Sequence, residues 1–149
     1  MKAYDGKPAH DFWSVPGGGV DVGEALLPAL KREMIEETGI IPVIGRLLFV
    51  QQFEWHDLEQ MEFFFLIKNG KDYLDIDLSK TTHGATEIEK FEFINPAEHK
   101  ILPEFLSNES FADINTVSAT KFFNYLWKLL IISLFVDWGK SNCNRVTYF

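Results

Sequence analysis

Apolar side chains recur every four residues at Leu26, Leu30 and Met34, the spacing that lays them along one face of an α-helix. Gly23 stands just ahead of this run, where it could serve as the N-cap. Gly39 closes the run, as expected of a residue that must turn left-handed, and Pro42 keeps the helix from resuming. Proline is tolerated only in a helix's first turn, so Pro28 predicts a regular helix from Ala25 or later, with Glu24 in the loop or at the cap. Past Pro42 the pattern changes to strands over residues 45–53 and 61–68, rich in aromatic and aliphatic side chains. The polar stretch EWHDLEQ between them reads as a turn or binding loop. A short strand is expected at residues 12–15, closed by Pro16, and another at 88–94. Residues 74–78 alternate apolar and acidic, which supports a short edge strand at best. Asn69-Gly70 reads as a turn, and Pro96 opens a short helix over 96–102.

The end of the chain follows a different pattern. Residues 122–138, FFNYLWKLLIISLFVDW, are apolar nearly all round, with Lys128 and Asp137 as interruptions. A bilayer-spanning helix needs about 20 apolar residues, more than this uninterrupted run supplies. It reads as a terminal helix packed on the sheet, with a membrane-surface contact or a homodimer interface as the alternatives. The division expected is therefore a domain at 1–106 and a helical extension at 107–149.

Composition narrows the classes. A chain of 149 residues, 46% hydrophobic and carrying 14 Phe and 4 Trp, is one folded domain with a real core. A net charge of −8 argues against bulk nucleic-acid binding, which calls for basic faces. A small polyphosphate is still compatible if a divalent cation stands between the two anions. Cys143 is the sole cysteine, which excludes an internal disulfide and fits a reducing cytoplasm. The first ten residues have no apolar run of the signal-peptide kind.

The predicted helix also carries Glu33, Glu36 and Glu37. Residues three and four apart share a helix face, so Glu33 lies over both of the others and repels them. A Glu-rich helix is more often a solvated face than a metal site. Here, however, it follows directly on Gly17, Gly18 and Gly19, whose backbone carbonyls can add oxygen ligands of the kind Mg²⁺ prefers. A bound cation is the economical reason for the repulsion.

Gly18, Glu24, Arg32, Glu33, Met34, Glu36, Glu37, Gly39 and Ile40 match, in register, the pattern G-x5-E-x7-R-E-U-x-E-E-x-G-U, where U is a bulky aliphatic. The chain thus resembles the Nudix hydrolases, closely over this box and loosely as far as Leu106. Met34 is the one soft position. The resemblance implies an α/β/α sandwich with a mixed sheet, and a Mg²⁺- or Mn²⁺-dependent hydrolase of a nucleoside diphosphate linked to another group. It implies metal ligation by Glu36, Glu37 and the Gly17 carbonyl. Glu33 would be a further ligand or the base that activates water, Arg32 would orient the glutamates, and Glu24 would assist at the helix start. The family often adds one late glutamate, for which Glu87, Glu89 and Glu92 are the candidates, Glu92 matching best. Trp55 and Trp13 could stack a base, although core packing suits Trp13 better.

Two features depart from the family's pattern. Only residues 1–12 precede Trp13, so the sheet is expected to lack its usual first strand or strands, or to be completed in another way. An unpaired central edge would invite dimerisation. The substrate signals are also negative. His56 stands where the family's ADP-ribose hydrolases carry proline, and no tyrosine marks a dinucleoside polyphosphate hydrolase across His56, Asp57 and Leu58. A nucleoside triphosphate or nucleotide-sugar pyrophosphohydrolase is what remains. The alternative is a nucleotide-binding or interaction module that keeps the box but has lost turnover.

Overall fold

Two long antiparallel strands form the centre of the molecule. A computed structural model describes residues 12–108, 119–125 and 145–148. In chain order the described elements are β1 (Trp13–Ser14), β2 (Gly17–Gly19), α1 (Leu26–Thr38), β3 (Ile44–Trp55) and β4 (Leu58–Ile67). Then come α2 (Gly84–Glu87), β5 (Ile101–Leu102), β6 (Lys121–Tyr125) and β7 (Arg145–Tyr148), with short 3-10 turns between. The five-stranded sheet runs β2-β7-β4-β3-β6. β3 and β4 pair antiparallel, β6 and β7 flank them in parallel, and β2 joins β7 antiparallel. β1 and β5 make a separate two-stranded parallel pair. This is the mixed-sheet α/β architecture that the sequence predicted.

Strand alternation divides the core in two. On one face Leu30 and Met34 of α1 bury against Phe65 and Tyr73, with Leu47, Phe63 and Ile67 around them. On the other, Phe49 and Phe64 pack with Ile101, Phe105 and Leu106, and the rings of Phe105 and Phe123 stack at 3.9 Å. Burying a Leu or Phe side chain contributes about 1.5–3 kcal/mol, so both clusters hold the sheet firmly against its covers. Trp13 belongs to the second cluster, edge-on to His99, which favours packing over ligand contact.

α1 starts after an N-cap at Ala25 and ends at Gly39, which adopts φ 74° and donates its N–H to Ile35 O at 2.8 Å. Pro28 falls in the first turn and Glu24 stays outside the helix, as Pro28 required. The N-cap is Ala25, not Gly23: Glu24 N–H bonds back to Asp21 O, and Gly23 serves that turn at φ 85°.

Several expectations fail for identifiable reasons. EWHDLEQ is mostly strand; only His56 and Asp57 form the turn, both left-handed, joining Trp55 to Leu58 in register. Residues 88–94 form no strand, because β6 and β7 already occupy the outer edges of β3 and β4. Phe91 instead packs toward α1 and stacks on Tyr73, while Phe93 is left exposed. Residues 74–78 form no strand either: Ile76 docks on the α1 cluster, and Asp77 caps the next turn through Ser79 N–H. The short helix after Pro96 stops at Glu98 and gives way to β5. The helix expected over 122–138 is contradicted at its start, since residues 122–125 belong to β6; residues 126–138 lie outside the described residues. Among the described residues, no helix is long and apolar enough to cross a membrane.

Candidate active site

β2 and α1 meet where the glycines pass beneath the helix. At Gly18 a β-carbon would overlap the carboxylate of Glu33, so only glycine lets that carboxylate lie on the strand. One helical turn further on, Gly17 N–H donates to Glu37 Oε2 at 2.8 Å. Glu37 is buried, and this charge-assisted bond ties the strand to the helix.

Arg32 gathers the remaining acids. Its Nε and Nη2 donate to the two oxygens of Glu24 at 3.0 and 2.8 Å, a bidentate pair. Nη1 donates to Glu33 Oε1 at 2.7 Å and Glu36 Oε2 at 3.1 Å, and Nη2 also reaches Gly19 O at 2.9 Å. The planar fork of a guanidinium suits this division of labour, which an ammonium could not reproduce. Hydrogen bonding to Glu24, more than any other contact, pushes the Arg32 pKa up. The same bond holds Glu24 below the usual carboxylate range. Glu33 moves the other way: burial raises its pKa, and the Arg32 contact only partly opposes this.

The resemblance named Glu24, Arg32, Glu33, Glu36, Glu37 and Gly17; the structure joins the first four in one hydrogen-bonded network and pairs Glu37 with Gly17 one helical turn further on. Gly17 meets Glu37 through its N–H, whereas the resemblance assigned its carbonyl. Of the late glutamates, Glu87 and Glu92 lie apart from these hydrogen bonds. Glu92 pairs with Lys90 at 2.7 Å on the surface, and Glu87 belongs to α2. Trp55 is exposed at the β3–β4 turn, edge-on to His56 at 4.7 Å.

The residues from Thr81 to Gly84, a loop in the sequence pattern with no signal of a link to α1, also reach Glu36. His83 N–H donates to Glu36 O at 2.9 Å, and His83 Nδ1 lies 3.4 Å from Glu36 Oε2. No spacing rule links positions 36 and 83. The loop reaches α1 through tertiary folding alone.

The donor set is all oxygen, the chemistry a hard divalent cation selects, and Glu33, Glu36 and Glu37 fit it by type. As they stand, these acids are engaged by Arg32 and Gly17. Among the described residues, no three of His, Cys, Asp or Glu are gathered to hold an ion.

A NUDIX domain model matches residues 1–113, and the chain belongs to that family. An 8-oxo-dGTP diphosphatase of Buchnera aphidicola is 36% identical over 72 residues, 46% of this chain and 56% of that protein. An RNA pyrophosphohydrolase of Psychrobacter is 52% identical over 39 residues, 26% of this chain and 22% of that protein. Another, from Rhizobium meliloti, is 54% identical over 37 residues, 25% of this chain and 21% of that protein. The matched stretches thus span about half of the first relative and about a fifth of the others. No solved structure gives a significant match.

Proposed function

We propose that this chain hydrolyses a phosphoanhydride bond in a nucleoside diphosphate linked to a further group, with a nucleoside triphosphate or a nucleotide sugar as substrate. The observation that carries this reading is the convergence on one glycine strand of Glu24, Glu33 and Glu36, held by Arg32, and of Glu37, held by Gly17. Among the relatives, an enzyme named for a nucleoside triphosphate supports the triphosphate over the sugar.

In this reading Glu36 and Glu37, with the Gly17 carbonyl, would hold Mg²⁺ or Mn²⁺. When bound, such an ion neutralises phosphate oxygens and lowers the pKa of a coordinated water. Glu33 is suited to take the proton from the attacking water, because its raised pKa makes the ionised carboxylate a stronger base. Arg32 fixes the rotamers of Glu24, Glu33 and Glu36, so the acids meet the substrate already oriented. Trp55, exposed at the hairpin turn, is the aromatic candidate for stacking a base. Glu87, Glu89 and Glu92 are the candidates for a further carboxylate.

The test is release of phosphate or pyrophosphate from a nucleotide panel with Mg²⁺, comparing wild type with Glu33→Gln and Glu37→Gln. Both changes are expected to lower kcat by about 100-fold or more. No turnover of any nucleotide by wild type, together with nucleotide binding indifferent to both changes, would leave a binding module instead.

A further inference from the structure

The last four carbonyls of any helix have no partner within it. In α1 two of these belong to Glu36 and Glu37, the residues proposed to hold the cation. The segment running from Thr81 to Gly84 meets both. Glu36 O accepts from His83 N–H at 2.9 Å and from Thr82 Oγ1 at 3.4 Å. Gly84 passes so close to Glu37 O that a β-carbon there would overlap it, and it would also press on Thr81 Oγ1 at 2.5 Å. The Thr81 methyl closes the end of the helix, 3.7 Å from where a β-carbon on Gly39 would stand.

His83 meets Glu36 at two places. Its N–H binds the main-chain carbonyl, and its ring Nδ1 lies 3.4 Å from Oε2 of the same residue's carboxylate. Gly39, through its bond to Ile35 O, already ends the helix without help. The ring contact adds nothing to helix termination; what it restrains is the direction of a carboxylate. Arg32 Nη1 donates to the same oxygen at 3.1 Å.

We propose that the Thr81-Thr82-His83-Gly84 loop is a positioning element for the cation site: it fixes the last turn of α1 and, through the His83 ring, the orientation of the Glu36 carboxylate. The proposal rests on the metal-site reading given above. His83 is a positioning residue here, acting through Glu36. Groups that orient a metal ligand from behind typically change affinity 10- to 100-fold when removed.

The experiment is Mn²⁺ titration of the full chain followed by electron paramagnetic resonance, with thermal melts of the metal-free protein alongside. His83→Ala is expected to weaken Mn²⁺ binding about tenfold while leaving the metal-free Tm near wild type. His83→Asn, which keeps a nitrogen donor at the Nδ1 distance, is expected to recover most of that loss. Gly84→Ala is expected to weaken binding further by displacing Glu37. Gly70→Ala, whose β-carbon would meet only the Phe93 ring at 4.0 Å, is expected to bind as wild type. Wild-type affinity in His83→Ala, while Glu37→Gln loses the ion, overturns the proposal and leaves the metal site standing. Wild-type affinity in Glu37→Gln removes both. If Gly84→Ala does not fold, the two His83 variants decide alone: a loss that Asn does not recover, or one matched by a fall in Tm, overturns the proposal.

Discussion

Glu33 is where the proposed catalysis and stability oppose each other. Its carboxylate is half-buried on Gly18, and burial raises its pKa above the usual value of 4.5. The folded chain therefore binds this proton more tightly than the unfolded chain does. The group favours the fold below about pH 4.5, and that contribution is lost as pH rises through the raised folded value. Glu33→Gln carries no charge at any pH. Metal-free Glu33→Gln is expected to melt above wild type at neutral pH and to lose that advantage in acid, in thermal melts across a pH series. Gly18→Ala acts on the same contact from the strand side: its β-carbon must displace the Glu33 carboxylate, so turnover is expected to fall at least tenfold with the fold retained, as checked by circular dichroism. Tyr73 shows a similar tension without a function to explain it. Among the described residues its buried hydroxyl has no hydrogen-bond partner, and burial pushes its pKa up to about 12. An unpaired buried hydroxyl costs about 1–3 kcal/mol, so Tyr73→Phe is expected to stabilise the protein by roughly 1 kcal/mol in urea unfolding.

At the level of elements, what was legible followed from local rules. The start of α1 was set by Pro28, its end by Gly39 and its core face by Leu30 and Met34, and each of these acts within a few residues of itself. The box acids were legible because one helix and one adjacent glycine strand bring them together. The contribution of His83 was not, because a contact across so many residues has no periodicity to reveal it. The strands expected at 74–78 and 88–94 failed for a related reason: an alternating pattern shows that a segment could pair, not that a sheet edge is free to receive it. The β3–β4 turn was expected over the whole of residues 54–60 and is confined to two, because His56-Asp57 is an unusual pair for two left-handed positions, where Asn-Gly is the common choice. Left-handed backbone is costly for residues with a β-carbon. Asp57→Gly is therefore expected to raise stability by up to about 1 kcal/mol, read as a higher urea midpoint.

Across the whole molecule, strand order matters more than any single contact. Among the described residues, β2 has one sheet neighbour, β7, which also pairs with β4. The sequence left two possibilities at this place, a shortened sheet or one completed in another way. The pairing of Gly18 with Val146, and of Val146 with Phe63, is the completion observed. A proline at a strand position flanked on both sides removes a ladder bond and clashes with a neighbour. Val146→Pro is expected to lower Tm by several degrees and to accelerate amide exchange at Gly17–Gly19 ahead of β3, in hydrogen-exchange measurements. The same strand order has a consequence for the newly made chain. Translation proceeds at about 5–20 residues per second, so β2 and α1 leave the ribosome well before residues 145–148 exist. Until those residues arrive, the glycine strand has no place in the sheet, and the carboxylates above it have no fixed floor. Contacts so distant in sequence form late and slowly, so competence for catalysis is expected only after synthesis has passed β7.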